Sequence, residues 1–412
     1  MMSNLIEIGE LAKKASRELE GCTCKNEALY TIADALVARA DEILEANELD
    51  MKAAEEKGIP KPMMDRLALT HERIAGIADG VRKVAELDDP VGNVNKMWKR
   101  PNGLVIGEKR VPLGVIAIIY EARPNVTADA AALCLKTSNS VILRGGSEAI
   151  NSNIAIMKVM QDAAYKTGVP VGSLNIIEDT ARETATELMR LNGYVDVLIP
   201  RGGKGLIKSV VENATVPVIE TAAGNCHVYI EKTADKNMAE EILINAKVQR
   251  PSVCNACETV LVDSDYPYIS ELIDALLEKG VEIRGSESIM KLNASVNPAT
   301  EEDWYTEYND MIISFKTVSG IDEAISHINK YNTKHSEAII TNDYEKSQIF
   351  LNKVDAAAVY VNASTRFTDG FEFGFGAEIG ISTQKIHARG PMGLDALTSV
   401  KYIVYGNGQV RN

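Results

Sequence analysis

The segment of residues 249–260, QRPSVCNACETV, contains a cysteine that could act as a nucleophile. Cys254 follows a loop broken by Pro251, and Arg250 and Lys247 lie close to it in the sequence. Positive charge near a cysteine favours the thiolate, which is the form of cysteine that attacks carbonyl carbon. The segment therefore predicts Cys254 as the nucleophile of a covalent reaction.

Two other interpretations of this segment remain open. Cysteine often behaves as a small buried hydrophobic residue, so Cys254 and Cys257 could simply belong to a core. The Cys-x-x-Cys spacing also fits a redox pair or half of a zinc site. A zinc site needs more ligands, and the other close pair, Cys22 and Cys24, lies in a polar turn without clustered histidines. We therefore expect no metal.

Length and composition exclude several classes of protein. The 412 residues exceed one ordinary core, so two or three domains are expected. No run of eighteen apolar residues occurs and the first ten residues are acidic, which predicts a soluble protein with no secretory signal. Six unevenly spread cysteines indicate a reducing cytoplasm rather than a disulfide framework. The net charge of −14 argues against nucleic acid as a partner, so an anionic substrate must meet a local basic cluster.

The first hundred residues predict a helical scaffold that is followed by a hairpin. Residues 4–57 predict two helices, because apolar residues recur there at spacings of three and four. A further helix is predicted after the candidate N-cap Thr70. Pro101-Asn102-Gly103 separates two strand-like runs, which predicts a hairpin. The last strand-like run, residues 402–405, is the predicted partner of this hairpin, either in the same chain or on another subunit.

From residue 112 onward, predicted strands and helices alternate. Short apolar runs predict strands at residues 115–120, 141–143, 175–177, 195–199 and 216–219. Thr180-x-x-Glu183 fits a capping box, and Gly168 fits a helix C-terminus. A second series predicts strands at residues 259–262, 281–284, 312–317, 338–341 and 357–361. The pattern predicts an α/β fold with mostly parallel sheets, and Cys254 is expected to face a cleft.

Two of the predicted strands end in glycine-rich turns that carry an arginine. Arg144 precedes Gly145, Gly146 and Ser147, and Arg201 precedes Gly202 and Gly203. Backbone N–H groups and a cation at such turns could bind phosphate oxygens, which favours a dinucleotide. Neither turn is a GxGxxG fingerprint. A tight strand-to-helix turn with a solvated arginine is the structural alternative for each.

Several longer motifs point to a known family. A broad set comprises residues 110–115 (RVPLGV) with 121–125 (EARPN), 218–221 (VIET) and 249–254 (QRPSVC). A narrower set comprises residues 318–339, 361–370 (VNASTRFTDG) and 375–383 (FGAEIGIST). The first set resembles the aldehyde dehydrogenase superfamily, and the second resembles, within it, the family of gamma-glutamyl phosphate reductases. The resemblance covers nearly the whole chain.

Two residues depart from the pattern of that family. Asn332 stands where a glycine or serine is usual, and asparagine tolerates the same left-handed backbone. Cys257 stands where a small or apolar residue is usual, and its thiol could form a disulfide with the nucleophile on oxidation.

The resemblance implies an aldehyde-dehydrogenase-like fold. A Rossmann-type NADP-binding domain would comprise residues 1–96 and 112–221, and an α/β catalytic domain residues 222–397. A small β oligomerisation flap would comprise residues 97–111 and 398–412, and a homo-oligomer, a dimer or tetramer, is implied. Whether a glutamate kinase associates with the chain stays open.

The implied reaction is the NADPH-dependent reduction of L-glutamyl 5-phosphate to L-glutamate 5-semialdehyde and phosphate, in proline biosynthesis. Cys254 would form a thioester, and the Asn125 amide with the Cys254 backbone N–H would hold the negative charge on oxygen. A turn at Arg-Pro-Asn is the structural alternative for Asn125. Glu220 matches the superfamily's general-base glutamate, but the thioester must be kept from water, so we assign Glu220 no essential role.

The same resemblance implies residues for binding NADPH and the substrate. Arg144 and Ser147, with Arg201, Gly202 and Gly203, are the candidates for the cofactor, since an arginine at the end of the second strand can pair with a 2′-phosphate. The candidates for the substrate are Arg250, Ser364, Thr365 and Arg366. We assign no chemistry to the histidines His227, His327 and His335. The alternatives are an aldehyde dehydrogenase that passes its thioester to coenzyme A, and a non-catalytic redox sensor.

Overall fold

The structure is a computed structural model that describes residues 2–121, 123–221 and 223–411. The chain up to Glu220, with Gly374–Gly380 and the chain from Met392 onward, forms one compact unit. Thr221–Phe373 and Ile381–Pro391 form a second unit. Each unit is built on its own parallel sheet.

The first unit combines helices with a four-stranded and a three-stranded sheet. Its helices are α1 (Met2–Leu19), α2 (Lys25–Ala38), α3 (Ala40–Glu56), α4 (Lys61–Leu67), α5 (His71–Glu86), α6 (Pro124–Lys136), α7 (Ile150–Lys166), α8 (Arg182–Leu188) and α9 (Lys204–Asn213). Its strands are β1 (Val94–Lys99), β2 (Val105–Pro112), β3 (Val115–Tyr120), β4 (Ser140–Arg144), β5 (Leu174–Ile176), β6 (Val197–Arg201) and β16 (Thr398–Tyr405).

The four-stranded sheet is parallel and has the order β5-β4-β3-β6. All six residues of β3 are buried, as its continuous apolar run predicts for a strand that is covered on both faces. The strand predicted at residues 216–219 does not form. That segment makes only an isolated bridge between Val218 and Leu198. The chain adds β4 and β5 on one side of β3 and β6 on the other, so the strand order reverses between β3 and β6, where ligands bind in doubly wound sheets.

The helical scaffold differs from the sequence prediction in two places. Residues 4–57 form three helices rather than two, because the chain turns after Leu19 and again at Arg39, which lies between α2 and α3 with φ −112°. The capping box at Thr180 is absent, since α8 begins after Ala181 without a side-chain cap. The predicted N-cap is confirmed at Thr70, whose side chain accepts from the backbone N–H of Arg73.

The predicted hairpin is confirmed, and it pairs within the chain. Strand β1 runs antiparallel to β2, and β16 runs antiparallel to the other edge of β2. All six residues of β1 are exposed. This three-stranded sheet therefore keeps two open edges, β1 and β16.

The second unit contains a seven-stranded parallel sheet. Its helices are α10 (Lys236–Val248), α11 (Ile269–Glu278), α12 (Glu287–Met290), α13 (Ile321–Tyr331) and α14 (Tyr344–Lys353). Its strands are β7 (Cys226–Ile230), β8 (Cys257–Asp263), β9 (Glu282–Gly285), β10 (Asn297–Pro298), β11 (Ile312–Val318), β12 (Ser336–Ile340), β13 (Ala358–Val361), β14 (Ile381–Ser382) and β15 (Gly390–Pro391). The sheet order is β10-β9-β11-β8-β7-β12-β13, while β14 and β15 form a separate pair.

Alternate residues of β7 enter cores on the two faces of this sheet. Val228 and Ile230 join one hydrophobic cluster, and Tyr229 joins another with α13 and α14. The left-handed backbone expected at Asn332 is absent, since its φ is −68°, and Lys334 adopts it instead with φ 62°.

Two further features concern the cysteines and the membrane. Cys22 and Cys24 form a disulfide in the turn between α1 and α2. In the part of the chain that the structure describes, no helix is long and apolar enough to cross a membrane.

Candidate functional site

Cys254 lies partly buried in the loop that joins α10 to β8. This loop, residues 249–256, is called the nucleophile loop below. It packs directly on Gly224, where a Cβ would lie 1.4 Å from the carbonyl oxygen of Cys254 and 2.6 Å from its Cα. The N–H of Gly224 donates to Glu307 Oε1 at 2.7 Å, which anchors this glycine. Only a residue without a side chain permits such a close approach of two backbones.

A second cysteine holds the backbone of Cys254 in place. The thiol of Cys226, on β7, donates to the carbonyl oxygen of Cys254 at 3.2 Å. Cys226 is fully buried, and burial raises the pKa of its thiol well above the ordinary value. The thiol therefore stays protonated and remains a donor at neutral pH. Its hydrogen bond fixes the direction of the Cys254 carbonyl.

Asn255 ties the nucleophile loop to the segment that follows β13. Its side-chain Nδ2 donates to the carbonyl oxygens of Arg366 at 3.1 Å and Thr368 at 3.0 Å. Its own carbonyl oxygen accepts from Thr365 Oγ1 at 2.7 Å. Thr365 is fully buried, and Ser364 accepts from the N–H of Arg366. These contacts give Ser364 and Thr365 a part in the geometry of the loop, and their contact with substrate stays a prediction.

Arg366 brings positive charge to the nucleophile loop. Its Nε donates to Gln249 Oε1 at 2.9 Å, and its Nη1 donates to Asn255 Oδ1. Burial lowers the pKa of Arg366, the neighbouring charge of Arg250 lowers it further, and the charge of a Cys254 thiolate acts in the opposite direction. Arg250, Arg366 and Cys254 therefore lie close enough to interact electrostatically, and the binding of substrate by the two arginines stays a prediction.

Lys247 does not support the Cys254 thiolate as its position in the sequence suggests. Its ammonium donates to Glu258 Oε2 at 2.7 Å, and both side chains are fully buried. Burial raises the pKa of Glu258 to about 7, although the charge of Lys247 opposes this shift. Glu258 Oε1 also accepts from the N–H of Asn309 at 3.2 Å. The ion pair joins the last turn of α10 to β8, on either side of the nucleophile loop.

Cys257 lies in the core rather than at the site. Its side chain is fully buried within a hydrophobic cluster, and its thiol donates to the carbonyl oxygen of Thr259 at 3.4 Å. Burial raises the pKa of this thiol. A buried, protonated thiol is a poor nucleophile, which favours Cys254 as the reactive residue.

The three histidines singled out from the sequence, His227, His327 and His335, are buried. His227 Nδ1 lies 3.0 Å from Glu337 Oε2, and both side chains are fully buried. Burial lowers the pKa of His327 to about 2, and its ring packs edge-on against Trp304. Buried rings packed in this way are typical of structural histidines.

The predicted oxyanion donor lies in the first unit, at the N-terminus of α6. Asn125 is exposed, and its Nδ2 donates to Asp129 Oδ2 at 3.0 Å. Burial raises the pKa of Asp129 to about 6, while the hydrogen bond from Asn125 and the charge of Arg201 lower it. One hydrogen of the Asn125 amide nitrogen is thus bonded to Asp129 within the first unit. An amide nitrogen carries two donor hydrogens.

Arg144 turns toward a neighbouring loop. Its guanidinium donates to the carbonyl oxygens of Thr180 and Ala181, the latter at 3.1 Å, ahead of α8. Its buried Nε has no hydrogen-bond partner among the described atoms. Gly145 must lack a side chain, because a Cβ there would lie 2.2 Å from Asn153 Nδ2. Ser147 is exposed at the start of the next turn.

A carboxylate already binds the second glycine-rich turn. Glu121, just after β3, accepts from the N–H of Gly203 at 2.8 Å. A Cβ at Gly202 would lie 2.6 Å from the carboxyl carbon of Glu121. The predicted phosphate-binding N–H of Gly203 is therefore occupied by an internal anion, which shows that the start of α9 favours negative charge. Arg201 is partly buried beside it.

Within each unit, several residues that contact the predicted site residues were not singled out from the sequence. They are Glu121, Asp129, Gly224, Cys226 and Asn255. Asp129 lies four residues after Asn125 on a predicted helix, and that spacing predicts a contact. Gly224 and Cys226 contact Cys254 only through the fold, across about thirty residues of chain. In the described ranges, no group of three or more His, Cys, Asp or Glu side chains could hold a metal ion.

Comparisons with known proteins show which family this chain is similar to. The sequence profile described as "Aldehyde dehydrogenase family" matches residues 7–314. A gamma-glutamyl phosphate reductase of Clostridium perfringens is 62% identical over the full length of both chains, and one of Caldicellulosiruptor bescii is 59% identical over the full lengths. The crystal structure of a gamma-glutamyl phosphate reductase from Thermotoga maritima matches 99% of this chain and 100% of that chain, with a TM-score of 0.97 and 48% identity.

Proposed function

Because the chain belongs to the gamma-glutamyl phosphate reductases of the aldehyde dehydrogenase family, we propose that it reduces L-glutamyl 5-phosphate to L-glutamate 5-semialdehyde and phosphate, as a step of proline biosynthesis. The observation that carries the proposal is the nucleophile loop, which holds Cys254 against Gly224 beside two arginines. The family fold predicted from the sequence is confirmed.

The thiolate of Cys254 begins the reaction. It forms a C–S bond to the acyl carbon, and the bond from that carbon to the phosphate oxygen breaks, so phosphate leaves with the electron pair. A nicotinamide cofactor, when bound, supplies the hydride that reduces the resulting thioester. The C–S bond then breaks, which gives the aldehyde and restores the thiolate.

Asn125 and the backbone N–H of Cys254 stabilise the negative charge that develops on the acyl oxygen. Removal of one such donor typically costs about 10²–10³ in kcat. Arg250 and Arg366 supply the positive charge that an acyl phosphate requires, and Arg366 is held in place by Gln249 and Asn255. Ser364 and Thr365 support that segment, and any direct bond from them to the substrate is a finer part of this proposal.

NADPH is the proposed form of the cofactor, and the first unit is its proposed binding domain. The residues present fit a dinucleotide. The start of α9 at Gly202 and Gly203 already binds a carboxylate, Arg201 lies beside it, and the buried Nε of Arg144 is an unpaired donor among the described atoms. Arg144 at the end of β4, with Ser147 in the next turn, is suited to a 2′-phosphate.

We further propose a homo-oligomer that assembles through the three-stranded sheet. Its edges are open, and Met97, Trp98, Tyr402 and Val404 are exposed apolar side chains on them. A cytoplasmic location follows from the need for Cys254 to stay a thiol. A kinase acting on the side-chain carboxylate of glutamate must supply the substrate, and its association with this chain would shorten the path of a labile acyl phosphate.

Two assays test the proposed function. NADPH oxidation is followed with freshly generated glutamyl phosphate and with other acyl phosphates, and we expect clear turnover only with the former. In the oxidative direction, the semialdehyde should require inorganic phosphate, and coenzyme A should not replace it. Turnover with coenzyme A in place of phosphate would instead identify an acyl-transferring aldehyde dehydrogenase.

A further inference from the structure

Asn125 and Asp129 form a polar pair on the first two turns of α6. Pro124 starts the helix, Asn125 follows it, and Asp129 lies one turn further along. Side chains four residues apart on a helix lie on the same face, so these two groups meet, with 3.0 Å between Nδ2 and Oδ2. The contact is entirely within one unit.

The chemistry of this pair determines which way the amide of Asn125 faces. An ionised carboxylate can only accept hydrogen bonds, so the atom of Asn125 that points at Asp129 must be the nitrogen. The nitrogen carries a second hydrogen, which remains available as a donor. If the amide were reversed, its oxygen would face the carboxylate and the pair would repel.

Asp129 can accept the hydrogen bond of Asn125 at neutral pH, although burial disfavours its charge. Its pKa of about 6, raised by burial and lowered by Asn125 and Arg201, still leaves it mainly charged at neutral pH. Gly80 on α5 lies near the other oxygen, since a Cβ at Gly80 would lie 3.7 Å from Asp129 Oδ1. The carboxylate therefore lies between α5 and α6, and Asp129 is partly buried.

We propose that Asp129 is a positioning residue for the reduction, because its carboxylate holds the Asn125 amide with its second N–H available to the acyl oxygen. This inference rests on the proposed role of Asn125 as an oxyanion donor. Asp129 itself does not touch the reacting atoms. Its contribution to rate therefore passes entirely through Asn125.

A double-mutant cycle tests this dependence. Asn125→Ala should lower kcat by about 10²–10³, the usual cost of one oxyanion donor. Asp129→Ala should lower kcat by about tenfold or more, though less than Asn125→Ala, with little change in KM. Asp129→Asn keeps an acceptor oxygen and should recover part of the loss. The double variant Asn125→Ala with Asp129→Ala should be no slower than Asn125→Ala alone.

Controls separate positioning from a loss of folding. Thermal unfolding and the rate at which iodoacetamide alkylates Cys254 are measured for every variant, and we expect both to stay near the parent values. Asp41→Ala, which removes an exposed carboxylate bonded to His71, is the matched control and should keep full kcat. If Asp129→Ala does not fold, Asp129→Leu, which has a similar volume and no acceptor oxygen, completes the same cycle.

The outcomes distinguish a failure of the proposed role of Asn125 from a failure of the inference about Asp129. If Asn125→Ala keeps parent kcat, the proposed role of Asn125 is wrong and the inference falls with it. If Asn125→Ala is slow but Asp129→Ala is as fast as the parent, the inference is wrong while the role of Asn125 stands. Losses that multiply in the double variant would show that Asp129 acts independently of Asn125, which also overturns the inference.

Discussion

Gly224 is the residue on which the position of Cys254 depends most directly. A Cβ at this residue would lie 1.4 Å from the Cys254 carbonyl oxygen, whereas such contacts stay above 3.0 Å. Gly224 is anchored by its hydrogen bond to Glu307, so in Gly224→Ala the nucleophile loop must move, by roughly 1.6 Å. That displacement also stretches the bond from the Cys226 thiol to the Cys254 carbonyl.

The expected cost follows from this displacement. A misplacement of about 1 Å at a reacting group can cost about 10²-fold in rate, so Gly224→Ala should lower kcat by at least about 10²-fold. The first unit, which is the proposed cofactor-binding domain, does not contain this contact, so binding of NADPH should stay unchanged. Initial rates with glutamyl phosphate, NADPH binding by fluorescence and thermal unfolding are the measurements.

Gly76→Ala is the matched control for this substitution. Gly76 lies in α5 and has open space where a Cβ would stand. The change should keep full activity and stabilise the helix by about 0.5–1 kcal/mol. If Gly224→Ala kept parent kcat and the same alkylation rate at Cys254, the account of the nucleophile loop given above would be refuted.

Three further predictions test the energetics of the fold. Lys247→Met alone should destabilise by about 3–5 kcal/mol, because it leaves Glu258 buried without its ion-pair and hydrogen-bond partner, whereas adding Glu258→Gln should restore much of the loss in urea unfolding. Thr70→Ala should cost about 1 kcal/mol through the lost N-cap, measured as a lower Tm. The pKa of Asp355 is lowered from 3.8 to about 2, mainly by its hydrogen bond to Lys385. The ionised carboxylate therefore stabilises the fold fully above pH 3.8, and this stabilisation is lost as the pH falls through about 2. Asp355→Asn should therefore flatten Tm against pH in that window, and an unchanged slope would contradict the ion pairing.

A strand could be predicted from the sequence most readily where its side chains are all apolar. The run at residues 115–120 is apolar throughout and forms β3, buried on both faces. Strand β7 was missed, because Cys226 and His227 interrupt its apolar pattern. Glu337, from a distant part of the chain, accepts from the backbone N–H of His227 at 2.7 Å. No local pattern contains that partner.

Some residues of the candidate site could likewise be predicted from the sequence, whereas others could not. Cys254 and Arg366 stand in recognisable motifs, and the charges of the two residues act on each other in the fold. Proximity in sequence suggested that Lys247 supports the thiolate, but the helix turns its side chain inward to Glu258. The break at Arg39 lacks glycine or proline, so the division of α2 from α3 had no sequence signal. Residues that act through long-range contacts, such as Gly224, are found only from the structure.

The central claim is that an acyl group rests on Cys254 before it is reduced. The protein is mixed with freshly generated glutamyl phosphate in the absence of NADPH, quenched in acid, and digested for mass spectrometry. The account predicts a glutamyl adduct on Cys254 that disappears when NADPH is added, and no adduct or turnover in Cys254→Ala, while Cys257→Ala retains both. An adduct on Cys226 or Cys257, or full turnover by Cys254→Ala, would contradict it.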